Sequence, residues 1–176
     1  MADATRIVLR TAEPKALGEA LGMMLGSRLN RATINGARAA LHLGPDEWLV
    51  VAPPGEASAL LAAGARAAAI ASVVDVSHRS VTIPVAGPHA VEMLNAFIAL
   101  DLAEVAFPAG MCTRTLFGKA EVILWRTGVD AFRLDVWRSF SPYVLGCLAE
   151  AGREFGEPLF APPAESPLLA AKPREV

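Results

Sequence analysis

Asp75, Ser77 and His78 put a carboxylate, a hydroxyl and an imidazole within four residues, the residue types of a hydrolytic relay. The stretch Val74-Asp75-Val76-Ser77 is strand-like. On a strand, successive side chains alternate between faces, so Asp75 and Ser77 share one side and His78 points to the other. A nucleophile, a base and an orienting acid cannot line up from that arrangement. The expected role of Asp75 and Ser77 is to satisfy backbone groups at a strand end, and no catalytic residue is assigned. The other histidines are His42, in an expected strand, and His89, in the first turn of an expected helix. Neither belongs to a His-x-x-His or His-Glu-x-x-His pattern, so no metal ligand is assigned. Cys112 and Cys147 are isolated thiols without Cys-x-x-Cys spacing and read as packing residues. No Gly-x-Gly-x-x-Gly follows a strand and no Walker-type loop occurs, so the chain has no sequence sign of holding its own dinucleotide.

Composition narrows the function classes further. The 176 residues suit one compact domain or two small fused units, and a hydrophobic fraction of 53% supplies a sizeable core. Charged residues make up 19% and the mean hydropathy is +0.40, which points either to a partner-facing apolar surface or simply to abundant alanine. A net charge of −2 with singly scattered arginines argues against nucleic acid as a partner. The N-terminus Met1-Ala2-Asp3-Ala4-Thr5-Arg6 lacks a basic region followed by an apolar run, so the expected location is the cytoplasm. Residues 57–74 are largely apolar but contain Arg66, and read as a buried helix passing into a strand, with no membrane span expected.

The elements that would position these residues come in duplicate. Ala37 to Gly44 and Ala120 to Gly128 both alternate and lead to a Gly-x-Asp turn, beyond which Trp48-Leu49-Val50-Val51 parallels Phe132-Arg133-Leu134-Asp135. A proline-started helix precedes each hairpin. Pro14 opens the first, with Leu17, Ala20, Leu21, Met24 and Leu25 as its stripe; Pro88 opens the second, with Val91, Leu94 and Ile98. A helix follows each hairpin, from Glu56 to Ile70 and from Pro142 to Phe155, with Ser141 as the N-cap of the latter. The order β-α-β-β-α-β followed by β-α-β-β-α predicts an α+β fold of two fused ferredoxin-like units, about 5–75 and 80–155, within a compact 1–155 domain. A proline-rich tail, 156–176, would be an extended arm or a disordered end.

In the second hairpin, Phe132, Leu134 and Val136 fall on one face together with Val122 and Leu124. The opposite face then holds Ile123, Trp125, Arg133 and Trp137, a composition that suits a subunit interface unless the other half of the chain covers it.

Several of these segments together resemble a known family. A strand ending in Asp75-Val76-Ser77-His78, a second strand Val81 to Gly87, and a Gly87-Pro88 turn opening a helix resemble the aminomethyltransferase (glycine-cleavage T-protein) fold. Phe107-Pro108-Ala109-Gly110-Met111-Cys112-Thr113-Arg114, Phe132 to Phe140, and Leu43-Gly44-Pro45-Asp46-Glu47-Trp48-Leu49 narrow the likeness to the sarcosine oxidase gamma subunit family, over roughly residues 36–155. That resemblance implies a non-catalytic part in a heterotetramer that demethylates sarcosine to glycine and forms hydrogen peroxide. It implies alpha, beta and delta subunits as partners, with FAD, FMN and NAD in the alpha and beta chains, zinc in delta, and tetrahydrofolate as one-carbon acceptor. The acidic pair on which aminomethyltransferases rely aligns with Ala120-Glu121, so the first acid is lost. The Lys-Gly-Cys-aromatic-x-Gly-Gln-Glu motif of the folate-binding iron–sulfur maturation branch does not occur. An alternative implied by the wider fold is a free-standing folate- or pterin-binding module whose pocket includes Ser77, His78 and Arg114.

Overall fold

A computed structural model of the chain describes residues 4–67 and 70–156. The described residues form two compact units that join between Ser77 and His78. The 157–176 part of the predicted tail lies outside them.

In the N-terminal unit, β1 (Thr5–Thr11) is followed by α1 (Pro14–Leu21), then β2 (Ala32–Asn35), β3 (Arg38–Gly44), β4 (Glu47–Ala52), α2 (Ala57–Ala65) and β5 (Ala71–Asp75). The strands make one antiparallel sheet in the order β2-β3-β4-β1-β5. Ile7 and Leu9 stand opposite Val50 and Trp48, and this row packs with Leu17, Leu21 and Leu60 into a single apolar core. Pro14 sits in the first turn of α1, where its missing N–H costs nothing. The helix stops at Leu21 because Gly22 takes a left-handed conformation (φ 64°), so the stripe expected to run on through Met24 is cut short and Met24 is exposed. The segment after α1 is tied down by Asn35, whose side chain accepts from the Met24 N–H at 2.7 Å and donates to the Met24 carbonyl at 3.1 Å. Trp48 donates its indole N–H to the Gly26 carbonyl at 3.0 Å.

The C-terminal unit runs β6 (Ser80–Ala86), α3 (Ala90–Asn95), β7 (Cys112–Phe117), β8 (Ala120–Gly128), β9 (Ala131–Trp137), a 3₁₀ turn (Arg138–Phe140) and α4 (Ser141–Arg153). Its sheet is antiparallel in the order β6-β9-β8-β7. Val81, Ile83, Val122, Leu124, Phe132, Leu134 and Val136 gather on one side with Leu94, Val144 and Leu148, so one face of the sheet is closed by α3 and α4. β6 is an edge strand of this sheet and carries the exposed Pro84 opposite Arg133.

The α+β class is as expected, with one more strand per unit than the two-stranded hairpins suggested. β2 and β7 add themselves to the outer side of β3 and β8, turning each hairpin into a three-stranded meander. The core β1-α1-β3-β4-α2-β5 keeps the split β-α-β order, with β4 lying between the parallel β1 and β3. Helix ends also differ. α2 closes at Ala65, where Arg66 and Ala67 donate back to Ala63 and Gly64. Pro88 and His89 form a turn before α3, with the Ala90 N–H on the Gly87 carbonyl at 3.1 Å. Ser141 is the first residue of α4 and not its cap: its hydroxyl donates backward to the Arg138 carbonyl at 2.9 Å.

One buried cation organises the C-terminal unit. Arg126 on β8 donates to the carbonyls of Leu102 (3.0 Å), Phe107 (2.8 Å), Gly128 (3.2 Å) and Val129 (3.0 Å) and lies over the Phe132 ring. Replacing it strands several buried acceptors, each worth about 1–3 kcal/mol when left unmet. Arg126→Met is expected to lower stability by about 3 kcal/mol in urea unfolding. Arg126→Lys should rescue little, because an ammonium cannot span two loops as a planar guanidinium does.

Candidate functional site

The sheet face of the C-terminal unit opposite its helices gathers the residues singled out on β8 and β9. Cross-strand pairing sets Ile123 against Asp135 and Trp125 against Arg133, while Thr82 of β6 stands opposite Asp135. Directly opposed residues project to the same side, so these five share one face. Arg133 grips Asp135 through Nε to Oδ2 at 2.9 Å and through a terminal nitrogen to Oδ1 at 3.2 Å. The same nitrogen donates to the Thr82 hydroxyl at 2.7 Å, and that hydroxyl donates to Asp135 Oδ1 at 2.7 Å. The result is a buried cation–carboxylate–hydroxyl triangle across two strands.

Burial changes what this face can do. Ile123, Trp125 and Arg133 are 8%, 2% and 9% exposed within the single chain, and Trp137 alone of the four expected interface residues keeps a large surface, at 43%. The alternation of β8 and β9 reveals which residues share a side, but it carries no information about what covers that side. Ile123, Trp125 and Arg133 are thus buried in the single chain, and Trp137 is the open one of the four. The indole N–H of Trp125 is buried without a hydrogen-bond partner among the described residues.

The Asp75-Ser77-His78 run resolves into backbone work. The Ser77 hydroxyl donates to Asp75 Oδ1 and accepts the Arg6 N–H at 3.0 Å, while the Ser77 N–H donates to the same carboxylate oxygen at 2.9 Å. With Val76 N–H on the Arg6 carbonyl at 2.9 Å, this bond extends the β1–β5 pairing past the strand end. His78 is exposed, and its carbonyl accepts from Arg138 Nε at 3.2 Å. His42 is buried and stacked on Trp48 (centroids 4.3 Å apart), and neither imidazole nitrogen has a partner among the described residues. His89 stacks on Phe155 at 4.5 Å.

Arg114 lies on β7, 3.9 Å from Glu121 Oε1, and lines a shallow surface cleft with Ala99, Thr115 and Leu116. His78 precedes β6 at the opposite edge of the same sheet. Three strand spacings of about 4.8 Å put roughly 14 Å between those edges, so His78 and Arg114 do not converge on one pocket of this unit. At the aligned acid pair, Ala120 is fully buried in the apolar core under the helices, and Glu121 points outward beside Arg114.

Sequence reasoning missed Arg126 and Thr82 as organising groups. The available signal was an arginine inside the apolar, alternating strand Val122 to Arg126 and a threonine between Val81 and Ile83. A polar side chain in the middle of a core strand has to find partners there.

With this geometry in view, comparison with known proteins is decisive. The sequence profile described as "Sarcosine oxidase, gamma subunit family" matches residues 6–154. The chain belongs to that family. It is 30% identical over 166 residues to the sarcosine oxidase subunit gamma of Arthrobacter sp., covering 92% of this chain and 82% of the relative. Its fold is similar to a chain of the heterotetrameric sarcosine oxidase from Corynebacterium sp. U-96, solved in complex with pyrrole 2-carboxylate. That likeness has a TM-score of 0.79 at 27% identity and spans 92% of this chain and 85% of the other. The glycine cleavage system aminomethyltransferase T from Bartonella henselae shares the fold at 15% identity and a TM-score of 0.62, over 86% of this chain and 44% of that protein. The expected likeness to the aminomethyltransferase fold is thus found beside the family match.

The buried triangle supplies a test of the site's character. Asp135→Ala leaves the Arg133 charge buried and uncompensated, and is expected to cost about 3–5 kcal/mol in chemical denaturation. Removing both charges together, Arg133→Met with Asp135→Leu, should cost less than Asp135→Ala alone. A larger loss in the double variant would contradict a purely structural ion pair.

Proposed function

We propose that this chain serves as the gamma subunit of a heterotetrameric sarcosine oxidase, holding the assembly together and contributing no catalytic group. The observation that carries this reading is the family match across residues 6–154. Its partners are then alpha, beta and delta subunits, with FAD, FMN and NAD in the two large chains and zinc in delta. Tetrahydrofolate is the acceptor of the one-carbon unit released as sarcosine is oxidatively demethylated. Among the described residues no helix is long and apolar enough to cross a membrane. The proposed location is the cytoplasm.

Three features support the non-catalytic part of the proposal. Asp75 and Ser77 are engaged with each other and with the backbone of β1. The position aligned with the first acid of aminomethyltransferases is Ala120, packed among Phe117, Val122 and Leu124. His78 and Arg114 lie at opposite edges of their sheet, which disfavours the alternative of a folate- or pterin-binding pocket at Ser77, His78 and Arg114. The two units are further proposed to be copies of one building block, since β1-α1-β2-β3-β4-α2 and β6-α3-β7-β8-β9-α4 run in the same order. An experimental structure in which the turns at Gly44 and Gly128 occupy non-equivalent places would end that idea.

Co-expression with the other three subunits tests the main reading. A tagged chain is expected to elute with them and with a flavin absorbance spectrum; elution alone and colourless would refute it. In complexes containing all chains and a full flavin complement, His78→Ala should leave sarcosine turnover within a few-fold of the parent. Loss of a general acid or base costs about 10²–10⁴-fold, so a hundredfold fall would identify His78 as catalytic.

A further inference from the structure

We infer that one end of the C-terminal unit, formed by Trp137, Phe140 and Tyr143 with Arg79, Lys119 and Arg138, is the seat of a partner subunit that presents carboxylates around an apolar pocket. The inference rests on the subunit reading and specifies which surface of the chain is used and what chemistry meets it.

Three chain segments converge there. Ser80 at the start of β6 pairs with Trp137 at the end of β9, and the Arg138 N–H donates to the Arg79 carbonyl at 2.9 Å. The turn between β7 and β8 joins them through the Lys119 N–H, 3.4 Å from the Tyr143 hydroxyl. The aromatic side chains are 43%, 40% and 38% exposed at Trp137, Phe140 and Tyr143. The chain has one tyrosine and three tryptophans, and the other two tryptophans, Trp48 and Trp125, are buried. Its tyrosine and its exposed tryptophan thus fall within seven residues of each other, with a half-open phenylalanine between them. Tryptophan, tyrosine and arginine are the residues that dominate binding energy at protein interfaces.

The patch is also held in shape before any partner arrives. Arg79 lies over the Trp137 ring, 5.8 Å from its centroid, and Arg138 is fixed by the Nε bond to the His78 carbonyl at 3.2 Å. Gly118 adopts φ 55°, and a Cβ there would sit 2.4 Å from the Tyr143 hydroxyl, so a larger residue in this turn would push the end of the phenol aside. A surface fixed in advance loses less conformational freedom on binding.

Charge decides the occupant. Segments 78–80, 117–119 and 137–143 contain Arg79, Lys119 and Arg138 and no carboxylate, on a chain whose net charge is −2. Glu121, near the same end, already faces Arg114 at 3.9 Å. A second copy of this chain meeting itself about a two-fold axis would bring the same cations together, which disfavours self-association. Nucleic acid calls for a longer basic stripe than three side chains. An acidic protein surface with a recess for the aromatic row satisfies both features.

The test uses the tagged chain co-expressed with the other three subunits, with the dissociation constant of this chain read by dilution and mass measurement. Trp137→Ala and Phe140→Ser are each expected to weaken assembly about thirtyfold. Arg79→Glu combined with Lys119→Glu should weaken it similarly and reverse its response to salt, because added salt weakens an attraction in the parent and screens a repulsion in the variant. The charge variant alters only exposed side chains outside the core, so it reports on docking even if an aromatic variant melts, and circular dichroism verifies its fold. Folded variants that assemble with the parent's affinity would overturn the inference while leaving the subunit reading intact. A parent chain that joins none of the other subunits would overturn both.

Discussion

A guanidinium with its N–H donors buried away from water must find acceptors for them, and in the C-terminal unit that requirement shapes almost everything beyond the sheet. Arg126 meets it with main-chain carbonyls drawn from two directions: the segment after α3 and the β8–β9 turn. Among the described residues it has no carboxylate partner. The same residue's backbone extends the β7–β8 pairing, its N–H donating to the Met111 carbonyl at 2.9 Å and its carbonyl accepting from Gly110 at 2.8 Å. The stretch from Ala96 to Met111 contains no regular helix or strand, yet Leu102 and Phe107 are fully enclosed in the core. Arg126 therefore converts an irregular loop into a fixed wall and delivers β7 to its place at the sheet edge.

The N-terminal unit solves the equivalent problem with neutral groups. Asn35 brackets Met24 from both sides, and the Trp48 indole reaches the Gly26 carbonyl. A loop of similar position is pinned by amide and indole dipoles in one unit and by a buried charge in the other. The shared order of strands and helices does not extend to the way the connecting loops are secured.

Strong local periodicity made the α+β class, the two hairpins and the division of β8 and β9 between two faces readable from the residues alone. What escaped was local and weak. β2 is only Ala32–Asn35, and a four-residue strand holds too few alternations to register. β7, Cys112–Phe117, has three polar residues in a row, Thr113, Arg114 and Thr115, and becomes a strand through its pairing to β8. The helix stripe ran past Leu21 because apolar spacing cannot sense the left-handed Gly22 that ends it. For the site, alternation grouped Ile123, Trp125 and Arg133 correctly on one side, but burial is a tertiary outcome that no single strand records. The Arg133–Asp135–Thr82 triangle was invisible for the same reason, since Thr82 and Asp135 are far apart in sequence and become neighbours only when β6 pairs with β9.

Pro84 gives the edge strand β6 a property that matters for a chain with a hydrophobic fraction of 53%. A proline has no N–H to offer, so the outer rim of β6 is interrupted near its middle, and an incoming strand would find its hydrogen-bond ladder broken there. Templated stacking of one molecule's sheet onto another's is frustrated along that rim. Recognition at this side of the unit is consequently a matter of side-chain shape and charge, with main-chain addition held in check by a single imino acid.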